Sequence, residues 1–324
     1  MIEFRAVSKV FPNGVEAVRD LSLEIERGET LVLLGTSGSG KTTTMKMVNR
    51  LIEPTGGRII LDGRDIMEQD PIELRRGVGY AIQSIGLFPH MTVGENIGVV
   101  PRLLKWPRQK TAERIDHLLT IVGLEPEEFR DRYPAQLSGG QRQRVGVARA
   151  LAADPPVVLM DEPFGALDPI TREQLQNEFI ELESEIGKTI VFVTHDVFEA
   201  VKMGDRIALL DAGRLQQLSP PAELVESPAN EFVDQFLGQH RFQLSLLTTT
   251  IGSLTDAIDT SEPEPADGSK RISAQHSLID ALDEFKRSRR RNLPVYRRGR
   301  FVGMLRKSAL LNVISAALGE AGET

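Results

Sequence analysis

The chain of 324 residues has no cysteine, one tryptophan and five scattered histidines. The lack of cysteine excludes a disulfide framework, a thiolate zinc site and thiol catalysis, and scattered histidines give no reason to propose a transition-metal site. No stretch reaches the roughly 18 consecutive apolar residues that a membrane-spanning helix needs. The first residues, MIEFR, lack the apolar core of a secretory signal. We therefore expect a cytosolic, enzymatic chain.

The charge of the chain is mildly acidic. Lysine and arginine number 39, aspartate and glutamate number 46, and the formal net charge is −7. A nucleic-acid partner is therefore not expected, because neutralising phosphates requires a basic surface. With 40% hydrophobic and 26% charged residues, the composition is typical of a folded globular protein, and the length allows two domains.

Short apolar runs alternate with helical patterns over the first two thirds of the chain. The runs at 30–34, 157–160 and 189–194 are typical of strands buried on both faces. Helical patterns occupy 141–153 and 171–186. Strands that alternate with helices predict an α/β fold, in which a parallel sheet is covered on both faces.

The character of the sequence changes past about residue 238. The segment 262–269, EPEPADGS, is typical of a linker or a loosely packed surface. A compact tail follows, with helical or strand patterns at 277–285, 293–296, 301–305 and 308–318. The predicted division is a large domain at 1–238, a linker or degenerate segment at 239–270, and a small domain at 271–324.

A glycine-rich sequence follows the first apolar run and precedes a helical pattern. It matches GxxxxGK[ST] and comprises Gly35, Thr36, Ser37, Gly38, Ser39, Gly40, Lys41, Thr42 and Thr43. The glycines let backbone N–H groups curl around phosphate oxygens at the start of the helix. We expect Lys41 to neutralise the β- and γ-phosphates, and the Thr42 hydroxyl to bind Mg²⁺.

Two carboxylates and a histidine directly follow the other two apolar runs. Asp161 and Glu162 lie at the sheet edge where open α/β proteins bind ligands. Beside a phosphate loop, Asp161 is expected to hold Mg²⁺ through water, and Glu162 to polarise or deprotonate the attacking water. The position of His195 after the run at 189–194 favours a sensor of the γ-phosphate over an ordinary packing histidine.

Two further motifs are ambiguous when each is taken singly. Ser138, Gly139, Gly140 and Gln141 begin a predicted helix, for which Ser138 is a natural N-cap. This start is either a second anion-binding site or an ordinary glycine-rich helix start. Gln83 taken alone is typical of a polar loop residue.

Together and in this order, the motifs resemble those of the ATP-binding cassette (ABC) family over about residues 2–238. The resemblance implies a P-loop nucleotide-binding domain, with a parallel sheet core and antiparallel and helical subdomains, that hydrolyses ATP with Mg²⁺. It assigns the glutamine loop to Gln83, the signature to 137–141, the Walker B carboxylates to Asp161 and Glu162, the D-loop to 166–168 and the switch histidine to His195.

The resemblance also implies a homodimer of two cassettes paired head to tail. Ser138 and Gly140 of one subunit then close over the γ-phosphate that Lys41 of the other subunit holds. Besides the phosphate loop, the residues expected to contact ATP are Phe11, which stacks on adenine, Gln83, Ser138, Gly139, Gly140, Gln141 and Asp168. The implied Mg²⁺ ligands are Thr42, Gln83 and, through water, Asp161.

A closer resemblance is to the ATPase subunits of osmoprotectant importers for betaine, choline and proline-type solutes, and it rests on residues 79–93, 101–106 and 161–169. The tail, with LPVY and FVGML, resembles a single α+β CBS module, a regulatory unit. This implies a peripheral subunit at the cytoplasmic face of the inner membrane. Its partners would be integral permease subunits, docked at 83–96, and an extracytoplasmic solute-binding protein.

Three alternatives stay open at this stage. An importer of amino acids or other polar solutes would carry the same motifs, because its substrate contacts belong to other subunits. A soluble ABC ATPase of DNA repair or the ribosome is disfavoured, since the chain has no cysteine, no long heptad insert and one cassette. A regulatory protein without turnover is disfavoured by the intact Glu162 and His195.

Overall fold

The computed structural model describes residues 1–82, 86–165, 167–265, 271–297 and 299–321. The chain divides into two compact units, Met1–Ser219 and Pro220–Thr324. The division therefore falls earlier than the boundary that the sequence predicted at residue 238.

The strands of the first unit form two sheets. In chain order they are β1 (Ile2–Val10), β2 (Glu16–Ile25), β3 (Thr30–Gly35), β4 (Gly56–Leu61), β5 (Arg64–Asp65), β6 (Val78–Ala81), β7 (Val157–Asp161), β8 (Thr189–Val193), β9 (Arg206–Asp211) and β10 (Arg214–Ser219). Over the described residues, one sheet is antiparallel with the order β2-β1-β4-β5, and the other has the order β10-β9-β3-β8-β7-β6. Neighbours in the second sheet are parallel except β9 and β10.

The helices of the first unit follow the predicted alternation with strands. In chain order they are α1 (Lys41–Val48), α2 (Pro71–Arg76), α3 (Val93–Ile97), α4 (Val99–Leu103), α5 (Arg108–Ile121), α6 (Pro126–Phe129), α7 (Gly139–Leu151), α8 (Pro169–Ile186) and α9 (Val197–Met203). Across the described parts of the whole chain, no helix combines the length and the apolar character needed to cross a membrane.

The central strands of the larger sheet are buried along their whole length. Every residue of β3, β7 and β8 is buried, which confirms the three apolar runs as strands covered on both faces. The residue patterns did not single out β2, which belongs to the antiparallel sheet. Charged residues such as Arg19, Asp20 and Glu24 interrupt its apolar positions, although it buries alternate residues toward the core.

The second unit combines helices with a small sheet. Its elements are α10 (Pro221–Glu226), α11 (Glu231–Leu237), α12 (Arg241–Thr248), β11 (Ile258–Asp259), β12 (Ile272–Ser273), α13 (Leu278–Ser288), β13 (Asn292–Arg297), β14 (Arg300–Arg306) and α14 (Lys307–Ala321). The strand order is β11-β14-β13-β12 in the described residues, with β12 and β13 parallel and the other pairs antiparallel. The helix and strand patterns predicted in the tail are confirmed as α13, β13, β14 and α14.

The segment 239–270, predicted as a linker or degenerate piece, contributes to the packing of the second unit. Leu244 on α12 is fully buried, and Ile251 and Ile258 belong to the core of this unit. Polar residues separate these apolar positions in the sequence, so no apolar pattern indicated that the segment is part of a core. Because α10 also packs against α12, the unit begins at Pro220.

Two residues of the second unit differ in burial, and we expect their substitution to differ in its effect on stability. Phe285 is 1% exposed, whereas Leu311 is 44% exposed. We expect Phe285→Ala to lower the free energy of unfolding of this unit by about 3–5 kcal/mol, because it leaves a cavity. The matched change Leu311→Ala should cost less than about 0.5 kcal/mol. Amide hydrogen exchange in α13 and β13 measures both, and equal effects would contradict the assigned core.

Candidate functional site

The predicted phosphate loop joins the end of β3 to the start of α1. Its glycines Gly35, Gly38 and Gly40 have positive φ angles of 149°, 81° and 100°, which side-chain-bearing residues rarely adopt. A Cβ at Gly35 would lie 2.1 Å from the Leu210 carbonyl oxygen, and one at Gly40 would lie 2.3 Å from that of Ala17. These two positions therefore require glycine.

Lys41, the first residue of α1, folds back into the loop. Its Nζ donates to the carbonyl oxygens of Gly35 at 2.8 Å and Thr36 at 2.7 Å. The residue is 6% exposed. Burial lowers the pKa of the ammonium group, while the nearby carboxylates of Glu162 and Asp161 act in the opposite direction. A cation beside the free N–H groups of a helix start suits an anionic ligand.

Thr42 and Asp161 supply oxygen atoms next to Lys41. Thr42 Oγ1 donates to Asp161 Oδ1 at 3.0 Å. Burial raises the pKa of the Asp161 carboxyl group, and the hydrogen bond from Thr42 acts against this rise. A hydroxyl and a carboxylate are ligands that Mg²⁺ accepts, so the pair fits this metal. Gln83, the third predicted ligand, lies outside the described residues.

Glu162 follows β7 and faces His195 at the end of β8. Its backbone N–H donates to the Val193 carbonyl oxygen at 3.0 Å, and its Oε1 lies 3.2 Å from His195 Nδ1. Its φ angle is 45°, a conformation that costs roughly 1–3 kcal/mol for a residue with a side chain. A carboxylate beside an imidazole at the edge of a phosphate loop is suited to activating water.

The signature residues lie at the start of α7. The Ser138 hydroxyl accepts the N–H of Gln141 at 3.2 Å, and the Gln141 side chain accepts the N–H of Ser138 at 2.9 Å, which is a capping box. A Cβ at Gly140 would lie 2.9 Å from Thr171 Cγ2. Gly140 therefore packs against the start of α8. Over the described residues, no hydrogen bond joins this signature to the phosphate loop of the same chain.

Phe11 and Asp168 occupy two other predicted positions. Phe11 lies in the turn between β1 and β2, where its N–H donates to the Val15 carbonyl oxygen at 2.9 Å. Lys9 Nζ lies 5.3 Å from the centre of its ring. Hydrogen bonds from the side chain of Thr171 and, to a smaller extent, from its backbone N–H lower the pKa of the Asp168 carboxyl group. The N–H of Thr171 donates to Asp168 Oδ1 at 3.1 Å and caps α8. Contacts of Phe11 and Asp168 with ATP stay predictions.

Comparison with known proteins identifies the family. The family model described as ABC transporter matches residues 18–165. The glycine betaine uptake system ATP-binding protein YehX of Escherichia coli (strain K12) is 50% identical over 285 residues, which cover 88% of this chain and 90% of YehX. The chain belongs to the ABC transporter ATP-binding proteins.

A second relative of this ABC protein is the glycine betaine/carnitine/choline transport ATP-binding protein OpuCA of Bacillus subtilis (strain 168). It is 59% identical over 241 residues, or 74% of this chain and 63% of OpuCA. The chain thus spans less than two thirds of the length of OpuCA. The dimeric ATP-binding cassette MJ0796, solved with ADP and Pi, has a TM-score of 0.61 at 35% identity and covers 68% of this chain and 98% of its own. These findings confirm the predicted ABC-type P-loop fold.

Sequence reasoning missed three buried polar residues of this ABC protein near His195. Thr194 is 2% exposed, Glu199 6% and Gln176 7%. The spacing of Asp196 and Glu199 indicates a helix start, for which Asp196 is the N-cap, but it does not predict that Glu199 is buried. No short motif marks Gln176, which lies inside α8 and donates from Nε2 to Glu199 Oε1 of α9.

The burial and contacts of Lys41 predict its effect on ATP affinity. We expect Lys41→Ala to weaken the binding of a fluorescent ATP analogue roughly 10- to 100-fold, because hydrogen bonds to charged groups contribute about 1.5–3 kcal/mol. Lys110→Ala is the matched control, since this exposed lysine lies over the Trp106 ring. Undiminished affinity in Lys41→Ala, measured by fluorescence titration with Mg²⁺, would contradict the phosphate-loop assignment.

Proposed function

We propose that this ABC protein is the ATP-hydrolysing subunit of an importer for quaternary-amine osmoprotectants such as glycine betaine, choline or related solutes. The observation that carries the proposal is the contact of Glu162 with His195 beside a phosphate loop that holds Lys41. The names of YehX and OpuCA, which specify glycine betaine, carnitine and choline, support the class of transported solute.

The phosphates of ATP bind to the N–H groups at the start of α1 in this proposal. Lys41 exchanges its carbonyl partners, Gly35 and Thr36, for oxygens of the β- and γ-phosphates. Thr42, Gln83 and, through water, Asp161 would hold Mg²⁺, which when bound would neutralise negative charge on the phosphates. The adenine ring stacks on the half-buried ring of Phe11.

Glu162 acts as the general base of hydrolysis. Its carboxylate accepts a proton from water while the water oxygen attacks the γ-phosphorus in line. The bond between the γ-phosphorus and the bridging oxygen breaks, and the electron pair leaves with ADP. His195, whose imidazole contacts Glu162 and is largely exposed, donates to the γ-phosphate and senses its presence.

A second copy of the chain completes each site. The hydroxyl of Ser138 and the N–H groups at 139–141 belong to a helix start that packs against α8 of its own chain. We assign them, with Asp168, to the nucleotide held by the partner's phosphate loop. The dimeric state of MJ0796 with ADP and Pi supports this arrangement.

The remaining partners belong to the membrane. We assign the subunit to the cytoplasmic face of the inner membrane, bound to integral permease subunits that receive solute from an extracytoplasmic binding protein. The segment 86–96 supports docking, since Phe88 is 41% exposed. The buried side chain of Asn96 holds this segment, because it donates to the carbonyl oxygens of Phe88 and Met91 at 3.1 Å and accepts the Phe88 N–H at 2.8 Å.

The end of the second unit is proposed as a single CBS-like module over 271–324. The order β12, α13, β13, β14, α14 supports it, as does the parallel pairing of β12 with β13. The helix α13 buries Leu278, Ala281 and Phe285 in the same core as Leu293 and Leu305. In this proposal the module regulates the ATPase and takes no part in hydrolysis.

The function is tested by ATP-dependent uptake of labelled glycine betaine into vesicles that contain the chain and its membrane subunits. We expect Glu162→Gln to lower hydrolysis and uptake by about 10²–10⁴-fold, because it removes the base, and to leave ATP affinity within about twofold. Glu178→Gln is the control, since Glu178 pairs with Arg144 on α7. Phosphate release by Glu162→Gln at the wild-type rate would overturn the role of Glu162. Inhibition of uptake by amino acids alone would favour the polar-solute alternative.

Mixed dimers test the assignment of Ser138 to the partner's site. When one subunit carries both Lys41→Ala and Ser138→Arg, each of the two sites has one defect, and hydrolysis is expected to fail. When the two changes are split between the subunits, both defects fall in one site and the other stays intact. Phosphate release by purified mixed dimers measures the difference. Activity only in the first arrangement would place Ser138 and Lys41 of the same chain in one site.

A further inference from the structure

The turn that carries His195 is fixed between two strands. It connects β8 to α9. The Thr194 N–H donates to the carbonyl oxygen of Leu33 at 3.2 Å, in the strand that leads into the phosphate loop. On the other side, the Val193 carbonyl oxygen accepts the N–H of Glu162 at 3.0 Å. The backbone before His195 is thereby tied both to the loop and to the base.

Buried side chains complete the turn. Thr194 Oγ1 accepts the N–H of Asp196 at 3.0 Å, so this bond spans His195. The Thr194 hydroxyl also hydrogen-bonds to the carboxylate of Glu199. A hydroxyl has one proton, and here it is donated to Glu199. Glu199 Oε1 accepts a second hydrogen bond, from Gln176 Nε2 of α8, at 3.0 Å.

The contrast in exposure shows what the turn does. The His195 side chain is 63% exposed, whereas Thr194, Glu199 and Gln176 are all buried. The imidazole is therefore positioned by its backbone and by its contact with Glu162 Oε1 at 3.2 Å, and less by packing around the ring. Glu199 also lines a cavity of about 40 Å³ together with Glu162 and His195.

A carboxylate is a costly choice at position 199 if packing is its only purpose. Burial raises the pKa of Glu199, and the hydrogen bonds from Thr194 and Gln176 offset only part of this effect. An apolar side chain of similar size would fill the space without the desolvation cost. A role in orienting neighbouring groups accounts for the residue type.

We infer that Glu199 is a positioning residue for ATP hydrolysis, which fixes the turn at His195 through Thr194 and ties this turn to α8 through Gln176. The inference rests on the proposed function. The start of α8 borders the signature residue Gly140. The hydrogen bonds from Gln176 to Glu199 and from Thr194 to Glu199 therefore connect the helix beside the signature to the turn at His195, the proposed sensor of the γ-phosphate.

A pair of substitutions at Thr194 separates hydrogen bonding from packing. Thr194→Val keeps the branched shape and removes the hydroxyl, whereas Thr194→Ser keeps the hydroxyl. We expect Thr194→Val and Glu199→Gln to lower kcat about 10- to 100-fold, because displacements of about 1 Å have effects of this size. The KM for ATP should stay within about twofold, and Thr194→Ser should retain most of the activity. Phosphate release is measured on the full-length chain, alone and with its membrane subunits.

Glu183→Gln is the matched control. Glu183 lies on α8, burial raises its pKa as it does that of Glu199, and it likewise accepts a hydrogen bond from a threonine, Thr30. Thr30 is the first residue of β3, at the end of the strand opposite the phosphate loop. We therefore expect Glu183→Gln to change the melting temperature and leave kcat unchanged.

A double-mutant cycle shows whether Glu199 acts through His195. In a His195→Ala background, Glu199→Gln should lower the residual kcat by less than about twofold, since the group it positions is gone. Full additivity would overturn the inference, as would equal activities of Thr194→Val and Thr194→Ser. If the wild type hydrolyses ATP and Glu199→Gln has the same kcat, the inference about Glu199 is overturned and the proposed function stands. No hydrolysis by the wild type overturns the proposed function as well.

Discussion

Backbone hydrogen bonds between the ends of β3, β8 and β7 hold Glu162 and the turn at His195 beside the phosphate loop. The carbonyl oxygen of Leu33 accepts the N–H of Thr194, and that of Val193 accepts the N–H of Glu162. Because the strands are parallel, their carboxyl ends meet at one edge of the sheet. Thr42 and Asp161, 119 positions apart in the chain, are thereby brought to 3.0 Å.

Around this edge, polar groups are buried at a cost that the apolar core avoids. Lys41 and Asp161 are nearly inaccessible to solvent. Burial lowers the pKa of Lys41 and raises the pKa of Asp161, which in both cases favours the neutral form. Glu162 has a positive φ angle. Such features concentrate where a protein binds a charged ligand, because the ligand supplies the missing interactions. Their presence at one edge supports the proposed nucleotide site independently of the family.

The same geometry is consistent with the proposal that one chain forms half of a working site. Lys41, Asp161 and Glu162 converge at the sheet edge, while at the signature the Ser138 hydroxyl caps the N–H of Gln141 and Gly140 packs beside α8. The hydrogen bonds from Gln176 to Glu199 and from Thr194 to Glu199 run from α8 to the turn at His195. Within the proposed dimer, α8 therefore lies between the group that contacts the partner's nucleotide and the group that senses its own.

Local residue patterns were enough to predict the parts of this protein that form within a few positions of the chain. The phosphate loop depends on glycines between a strand and a helix, and the cap at Ser138 bonds within three residues. Packing decided the rest. The contact of Gln176 with Glu199 and the burial of Leu244 in a segment that looked like a linker depend on how helices lie against each other. Periodicity predicts that a helix has an apolar face, but the partner of that face is set by strand order and chain connection, which no short pattern contains.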